Sequence, residues 1–218
     1  MNRRTALVAG ATGMVGKALL QQLLADEYYR TIITVTRREL GFTHEKLVQV
    51  VVPFDELAEV AQLLEVTDVY CCLGTTMKKA GGKEQFRQVD YDYVLGLAEL
   101  TKQQGCENFY LVSSIGANPK SMFFYTRVKG EVEEALKGVG FQGLHIFRPA
   151  SLTGDRQENR PGERFGLWFL RVFNFALVGG LKKYRPITDE QVAKGMRMIA
   201  HQAKSGVHTY ESDQIQAL

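Results

Sequence analysis

Tyr125 and Lys129, four residues apart in the stretch Y-T-R-V-K, have the types and spacing of an acid–base pair. A helix would place both side chains on one face, one turn apart. A tyrosine hydroxyl can donate a proton to a developing alkoxide, and a neighbouring cation tunes that hydroxyl as an acid. The pattern alone is weak, because an aromatic core residue followed by a surface lysine has the same spacing.

A glycine-rich turn near the start of the chain supports the interpretation of Tyr125 and Lys129 as an acid–base pair. Residues 5–16 read T-A-L-V-A-G-A-T-G-M-V-G, an apolar run followed by Gly10, Gly13 and Gly16. Gly10 permits a tight turn, Gly13 lets the backbone approach phosphate, and Gly16 lets a helix pack close to the strand. Backbone N–H groups at such a helix start hold a dinucleotide pyrophosphate. The two motifs together predict a nicotinamide-dependent oxidoreductase.

A serine would complete the catalytic set. Ser113 and Ser114 end a predicted strand about a dozen residues before Tyr125. Ser114 is the preferred residue to orient a substrate carbonyl by a hydrogen bond, with Ser113 as the alternative. Hydride would pass from the nicotinamide to the carbonyl, Tyr125 would donate the proton, and Lys129 would bind the ribose hydroxyls.

The residues after the second predicted strand bear on the choice of coenzyme. An NAD site places Asp or Glu there for the ribose 2′-hydroxyl, but this chain has Arg37 and Arg38. Two guanidinium groups suit a 2′-phosphate through bidentate contacts. NADP(H) is therefore favoured over NAD(H), although a solvated basic turn followed by Glu39 has the same sequence.

Two further strand ends are expected to face the cofactor. Leu73 and Gly74, in C-C-L-G-T-T, can pass close to the adenosine side of the dinucleotide. Asp55 could accept a hydrogen bond from the adenine amino group. It could equally cap a helix that begins at Glu56, and the sequence does not decide between the two.

Alternating strands and helices must position these residues. Apolar runs rich in Val, Ile and Tyr predict strands at Ala6–Ala9, Ile32–Thr36, Leu47–Val52, Asp68–Leu73, Asn108–Ser113 and Leu144–Phe147. Amphipathic stretches predict helices at Val15–Leu24, Glu56–Leu64, Glu84–Gln104 and Phe124–Leu136. This order is typical of an α/β fold with a doubly wound parallel sheet, of the Rossmann type. We expect one domain over residues 1–218, with a small aromatic-rich cap at about 153–184.

Composition excludes several other classes. The 218 residues are 45% apolar and 23% charged, and the net charge of +3 is too small to indicate nucleic-acid binding. Three cysteines, two of them adjacent, do not make a disulfide framework and suggest reduced thiols in a cytoplasmic protein. The four histidines are scattered, so no metal site is expected. The first apolar stretch ends at Gly10, too short for a signal-peptide core.

An aromatic segment follows the last of these predicted elements. Residues 165–175 read F-G-L-W-F-L-R-V-F-N-F, which is short for a membrane span and interrupted by Arg171. Most of its aromatic side chains are expected to pack internally. A lid over a hydrophobic substrate, a homodimer face or a membrane-surface contact through residues 165–178 are the alternatives.

The chain resembles a known family at several specific motifs. It is similar to the Tat-interacting-protein-like branch of the atypical short-chain dehydrogenases/reductases, over nearly its whole length. The motifs that carry the resemblance are C-C-L-G-T-T at 71–76, V-D-Y-D-Y-V-L at 89–95, Y-T-R-V-K-G-E-V-E at 125–133, F-R-P at 147–149 and D-R-Q-E-N-R-P-G-E at 155–163.

The resemblance implies a Rossmann-type NADPH site and names its residues. They are Thr12, Gly13, Met14, Val15, Arg37, Arg38, Leu73, Gly74, Tyr125, Lys129 and, from segments after the sixth strand, Leu152 and Arg160. The chain lacks the extension that precedes the first strand in the human member of the family. We therefore expect a compact prokaryotic relative without that member's regulatory and partner-binding roles.

Two functions of different classes remain at this stage. The first is an NADPH-dependent reductase of a small, apolar carbonyl compound. The second is an NADP(H)-sensing regulatory protein that acts through protein–protein contacts without turnover. A complete Ser114–Tyr125–Lys129 set favours the enzyme, because a sensor has no need of a proton donor.

Overall fold

A computed structural model of the chain describes residues 4–153 and 179–218. Within these residues a seven-stranded parallel sheet has the strand order β3-β2-β1-β4-β5-β6-β9. Its strands are β1 (Arg4–Ala9), β2 (Tyr29–Thr36), β3 (Leu47–Val51), β4 (Asp68–Cys71), β5 (Asn108–Val112), β6 (Gly143–Arg148) and β9 (Gly206–Glu211). Two short parallel strands, β7 (Leu152–Thr153) and β8 (Ile187–Thr188), pair separately.

Helices connect the strands. The α-helices described are α1 (Met14–Leu24), α2 (Met77–Ala80), α3 (Lys83–Arg87), α4 (Tyr93–Gln103), α5 (Phe124–Val139), α6 (Asp189–Gln202) and α7 (Ser212–Gln216). Two 3₁₀ helices span Phe54–Leu63 and Gly179–Tyr184, and a π-helical turn spans Gln88–Asp92.

The sheet is covered on both faces, as the apolar runs predicted. In β1, Leu7 and Ala9 point into one core, with helices α4 and α5, while Ala6 and Val8 point into the other, with α1 and α6. Successive strand residues alternate between faces, so a strand buried on both sides must be apolar throughout. The predicted doubly wound Rossmann-type fold is confirmed. The carboxyl ends of β1, β2, β4, β5 and β6 consequently lie along one edge, where such folds bind ligands.

Two predicted helices differ from the structure. The helix expected at Glu84–Gln104 is divided into α3, the π-helical turn and α4. The turn places Asp90 in the protein interior, fully buried, which an uninterrupted amphipathic pattern did not reveal. The segment predicted as a helix from Glu56 is a kinked 3₁₀ helix that begins at Phe54.

The last quarter of the chain contains regular elements that the sequence analysis did not assign. Helix α6 packs against α1, and it begins with a capping box in which Thr188 and Gln191 satisfy each other's backbone N–H groups. Strand β9 then extends the sheet beside β6. The predicted cap at about 153–184 and the aromatic segment 165–178 lie largely outside the described residues.

The cysteines belong to the core. Cys71 and Cys106 are buried, and burial raises the pKa of each thiol to about 12. Across the part of the chain that the structure describes, no group of His, Cys, Asp and Glu is arranged to hold a metal ion. None of the helices in that part is long and apolar enough to cross a membrane.

Candidate functional site

The turn between β1 and α1 requires glycine at two positions. Gly10 has φ +81°, and a Cβ there would lie 2.5 Å from the carbonyl oxygen of Cys72. A Cβ on Gly16 would lie 2.1 Å from the carbonyl oxygen of Gly10. Gly10 therefore lets the turn lie against the end of β4, and Gly16 lets α1 lie against the turn.

The crest of the turn is open to solvent. Thr12 and Gly13 are exposed, and Gly13 is the N-terminal cap of α1 with no side-chain hydrogen bond. The Gly13 N–H itself donates to the Gly10 carbonyl at 2.9 Å, so an anion here would be held by the start of the helix. Met14 is half-buried at the first helical position, whereas the Val15 side chain belongs to the core. Val15 can therefore meet a cofactor only through its backbone.

Two exposed arginines, which the sequence analysis predicted to select the coenzyme, follow β2. Arg37 and Arg38 follow the last residue of β2, beside the carboxyl end of β1, and both are exposed. Among the described residues, no ion pair occupies either guanidinium. They stay available for an anionic group at this edge of the sheet.

Asp55 does not cap a helix, which removes one of the two alternatives that the sequence left open. Pro53 is the N-terminal cap of the 3₁₀ helix, which has no side-chain cap hydrogen bond. The Asp55 carboxylate instead accepts hydrogen bonds from the Tyr93 hydroxyl, at 2.9 Å, and from the Gln88 amide, at 3.3 Å. The exposed carboxylate is held against α4, and its contact with adenine stays a prediction.

Gly74 stands next to a buried ion pair. The Lys129 ammonium lies 2.8 Å from Asp90 Oδ1, and both side chains are almost completely buried. A Cβ on Gly74 would be 3.4 Å from that oxygen and 3.7 Å from Lys129 Nζ. The backbone N–H of Thr75 donates to Asp90 Oδ2 at 2.8 Å. The predicted cofactor loop after β4 and the predicted ribose-binding lysine therefore meet at one carboxylate.

Tyr125 and Lys129 share a face of α5 but differ in environment. Tyr125 lies in the first turn, half-exposed, with its ring 5.6 Å from that of Phe86. Burial opposes the charge on Lys129, but the Asp90 carboxylate outweighs it and raises the pKa of the ammonium. The structure thus places a solvent-accessible phenol one helical turn from a cation that stays charged.

Close packing fixes the start of α5. A Cβ on Gly130 would lie 2.2 Å from the carbonyl carbon of Asn118 and 2.3 Å from the nitrogen of Pro119. Only glycine lets the helix approach this loop so closely. Gly130 therefore holds the turn that carries Tyr125 against the segment that follows Ser114.

The two candidate serines have different partners. The Ser113 hydroxyl is buried and donates to Glu133 at 2.5 Å, and the same carboxylate accepts from Arg148. Ser114 is half-buried, and among the described residues the one partner of its hydroxyl is the Ile115 carbonyl at 3.3 Å. Ser113 links β5, α5 and β6, which leaves Ser114 freer to meet a substrate.

The remaining predicted residue within the structure is Leu152, half-buried in β7 after the sixth strand. Arg160 lies outside the described residues. Asp90 and Gly130 were missed as site residues, although both stand in the quoted motifs. A carboxylate within the apolar run V-D-Y-D-Y-V-L was the signal that could have drawn attention to Asp90.

Comparisons with known proteins agree with this geometry. A family model described as NAD(P)H-binding matches residues 10–164. Protein HTATIP2 of Rattus norvegicus is 44% identical over 177 residues, which cover 79% of this chain and 71% of that protein. The mitochondrial protein fmp52 of Emericella nidulans is 31% identical over 222 residues and 95% of each chain.

Solved structures share the fold at low sequence identity. MoeE5, solved with UDP-glucose and NAD, has a TM-score of 0.72 and 17% identity, covering 97% of this chain and 79% of its own. A UDP-N-acetylglucosamine 4-epimerase from Methanobrevibacter ruminantium M1 has a TM-score of 0.71 and 18% identity, covering 97% and 77%. Combined with the family match and the relatives above, the glycine turn and the shared motifs lead to one conclusion. This chain belongs to the NAD(P)H-binding family, in its Tat-interacting-protein-like branch.

Proposed function

We propose that this protein is an NADPH-dependent oxidoreductase that reduces an apolar carbonyl compound. The observation that carries the proposal is the half-exposed Tyr125 hydroxyl one turn from the buried, charged Lys129, at the sheet edge that also holds the glycine turn. A sensor would need the coenzyme site alone, whereas a proton donor beside it serves a reaction.

The residues present fit a phosphorylated dinucleotide. Gly10 and Gly16 form a turn that a Cβ would obstruct, and the exposed Gly13 precedes the helix start. Arg37 and Arg38 supply two positive charges at the adjacent strand end, and these charges would favour binding of a 2′-phosphate. This arrangement supports NADPH over NADH.

Each catalytic side chain has one task in the reduction. When bound, a reduced nicotinamide supplies the hydride. Ser114 donates a hydrogen bond that orients the substrate carbonyl, and Tyr125 gives its hydroxyl proton to the carbonyl oxygen as negative charge develops there. Lys129 holds the ribose hydroxyls with the N–H donors that Asp90 does not use.

The surroundings of Tyr125 support an apolar substrate. Met122 and Phe123 immediately precede α5, and they are 93% and 77% exposed. Large apolar side chains at such exposure on the rim of a site offer a surface for an apolar ligand. The few polar groups of the site would then stabilise the negative charge that develops on the reacting carbonyl, as is usual in ligand pockets.

The decisive experiment measures NADPH oxidation with a panel of aliphatic and aromatic carbonyl compounds. Tyr125→Phe keeps the ring and removes the proton donor, so turnover should fall by roughly 10²–10⁴-fold while coenzyme affinity barely changes. Tyr28→Phe is the matched control, because its hydroxyl lies at the opposite end of the sheet and contacts the Ala200 carbonyl at 3.4 Å. Equal turnover by wild type and Tyr125→Phe would remove Tyr125 as the acid. Tight NADPH binding with no turnover of any carbonyl would favour the sensor.

Coenzyme preference is tested separately by calorimetry. We expect NADPH to bind more tightly than NADH, because each charge-assisted contact to the 2′-phosphate contributes about 1.5–3 kcal/mol. Replacing both Arg37 and Arg38 by Ala should weaken NADPH far more than NADH. Arg30→Ala, an exposed arginine at the other end of β2, should change neither. Equal affinities for the two coenzymes in the wild type would refute the preference.

A further inference from the structure

Asp90 is the buried carboxylate that links the cofactor loop to the catalytic helix. One oxygen pairs with the Lys129 ammonium at 2.8 Å, and the other accepts the Thr75 N–H at 2.8 Å. The π-helical turn Gln88–Asp92 carries this residue inward, and its exposed fraction is zero. π-Helical turns of this kind often stand at functional sites.

A role in stability alone does not explain such a pair. Moving two charges out of water costs several kcal/mol per ion, and apolar side chains of similar volume often stabilise a core equally well. This pair also lies beside Gly74, at the sheet edge where the coenzyme would bind, rather than deep under the sheet. Its position therefore calls for a role at the site.

The groups that face Lys129 explain what the carboxylate does. Among the described residues, the titratable groups with the largest effect on Lys129 are Asp90 from the π-helical turn, Tyr125 from the same helix and Cys71 from β4. Burial disfavours the ammonium, and burial also raises the pKa of Cys71 to about 12, so that thiol is neutral. Asp90 supplies the only fixed negative charge among these three neighbours.

We propose that Asp90 is a positioning residue for Lys129, which fixes the ammonium beside Gly74 and keeps it protonated where the coenzyme ribose binds. The inference rests on the proposed coenzyme site, but it does not require turnover. Asp90 touches neither coenzyme nor substrate in this role. Its effect on the site passes entirely through Lys129.

The test is a double-mutant cycle read out as NADP⁺ affinity by calorimetry on the full chain, between pH 6 and pH 9.5. Asp90→Asn keeps the shape of the side chain but removes the charge that holds the proton on Lys129. The ratio of its Kd to that of the wild type should rise with pH and reach about tenfold. The reason is that Lys129 loses its proton in the variant, so a neutral hydrogen-bond donor replaces a charged one. Acidic solution should restore binding, since the buried amine is then protonated again.

Two further proteins separate this role from a structural one. In Lys129→Met, adding Asp90→Asn should cause no further loss of affinity at any pH, because the residue through which Asp90 acts is gone. Glu133→Gln is the matched control, a buried carboxylate on the same helix face paired with an arginine. Its Kd ratio should not change with pH, because an arginine keeps its proton without a partner.

The outcomes are distinct. A Kd ratio for Asp90→Asn that is independent of pH, or the same loss in the Lys129→Met background, would assign Asp90 a purely structural role and overturn the inference. Those results would leave the proposed reductase function intact. Failure of the wild type to bind NADP⁺ would overturn the proposed function, and this inference with it.

Discussion

Gly16→Ala tests whether the glycine turn is shaped as the structure shows. The added Cβ would lie 2.1 Å from the Gly10 carbonyl oxygen and 2.8 Å from its carbon, both backbone atoms that no rotamer change can move. Non-bonded carbon contacts are comfortable at about 3.5 Å, so the start of α1 would have to shift by roughly 1 Å. That shift separates α1 from the turn that should hold the pyrophosphate.

The expected cost combines two opposing terms. Alanine is favoured over glycine in a helix by about 1 kcal/mol, whereas overpacking of this kind costs typically about 1–3 kcal/mol and occasionally more. A clash with rigid backbone belongs at the upper end, so we expect a net loss of about 2 kcal/mol. For a domain of this size that lowers the melting temperature by roughly 4–8 °C. Coenzyme affinity should fall at least about tenfold, because a misplacement of about 1 Å spoils the N–H geometry.

Two other glycine variants make the assay specific. Gly96→Ala, in α4, would meet nothing within 4 Å, and should raise stability by up to about 1 kcal/mol without affecting the coenzyme. Gly13→Ala would meet the Gly10 oxygen at 3.3 Å, so the fold should survive while the new methyl group obstructs the phosphate. Thermal melting and NADPH titration are measured on all three. If Gly16→Ala has the melting temperature and coenzyme affinity of the wild type, the close approach of turn and helix that the structure shows is refuted.

The serines and a buried histidine provide the other predictions. Ser114→Ala should lower turnover roughly tenfold or more at unchanged stability. Ser113→Ala should instead lower the free energy of unfolding by about 1.5–3 kcal/mol and preserve turnover. The reverse result would exchange the roles of the two serines. His145 is buried, and burial, with His208 nearby, lowers its pKa to about 4. The unfolded chain therefore binds this proton first, and stability should fall by up to about 3 kcal/mol as pH drops from about 6.5 to 4. Urea unfolding across that range should show a shallower pH slope for His145→Gln, and an unchanged slope would contradict the assignment.

Local patterns in the sequence determined much of this protein. The apolar runs defined six of the seven strands of the sheet to within a few residues, because a strand buried on both faces must be apolar along its length. The glycine turn was equally readable from the spacing of Gly10, Gly13 and Gly16, although only the Gly16 contact is local, with Gly10, whereas Gly10 is required by Cys72 of a distant strand end. The doubly wound arrangement, though not the strand order, then followed from the right-handed crossovers of parallel sheets.

The sequence was less informative where polar or exposed residues form the element. Strand β9 (G-V-H-T-Y-E) is an edge strand with a mostly exposed or half-buried side-chain pattern, so no apolar run marked it. Asp55 stood at a position typical of a helix cap, but the Tyr93 hydroxyl, 38 residues away in the chain, takes its carboxylate. Competition between a local and a distant partner is decided by packing.

The candidate site also contains residues that the sequence reveals and residues that only the folded chain brings together. Sequence alone placed Tyr125 and Lys129 on one helix face, because one helical turn fixes their spacing. Only the tertiary structure brought in Asp90, since a π-helical turn had to break a regular helical pattern and carry a carboxylate from another segment to the lysine. Likewise, the sequence preferred Ser114 to Ser113 by position alone, and only the folded chain brought Glu133 to the Ser113 hydroxyl. The sequence determines the spacing of side chains within one helix or strand. Ion pairs and hydrogen bonds between different elements form only when packing has set the distances between those elements.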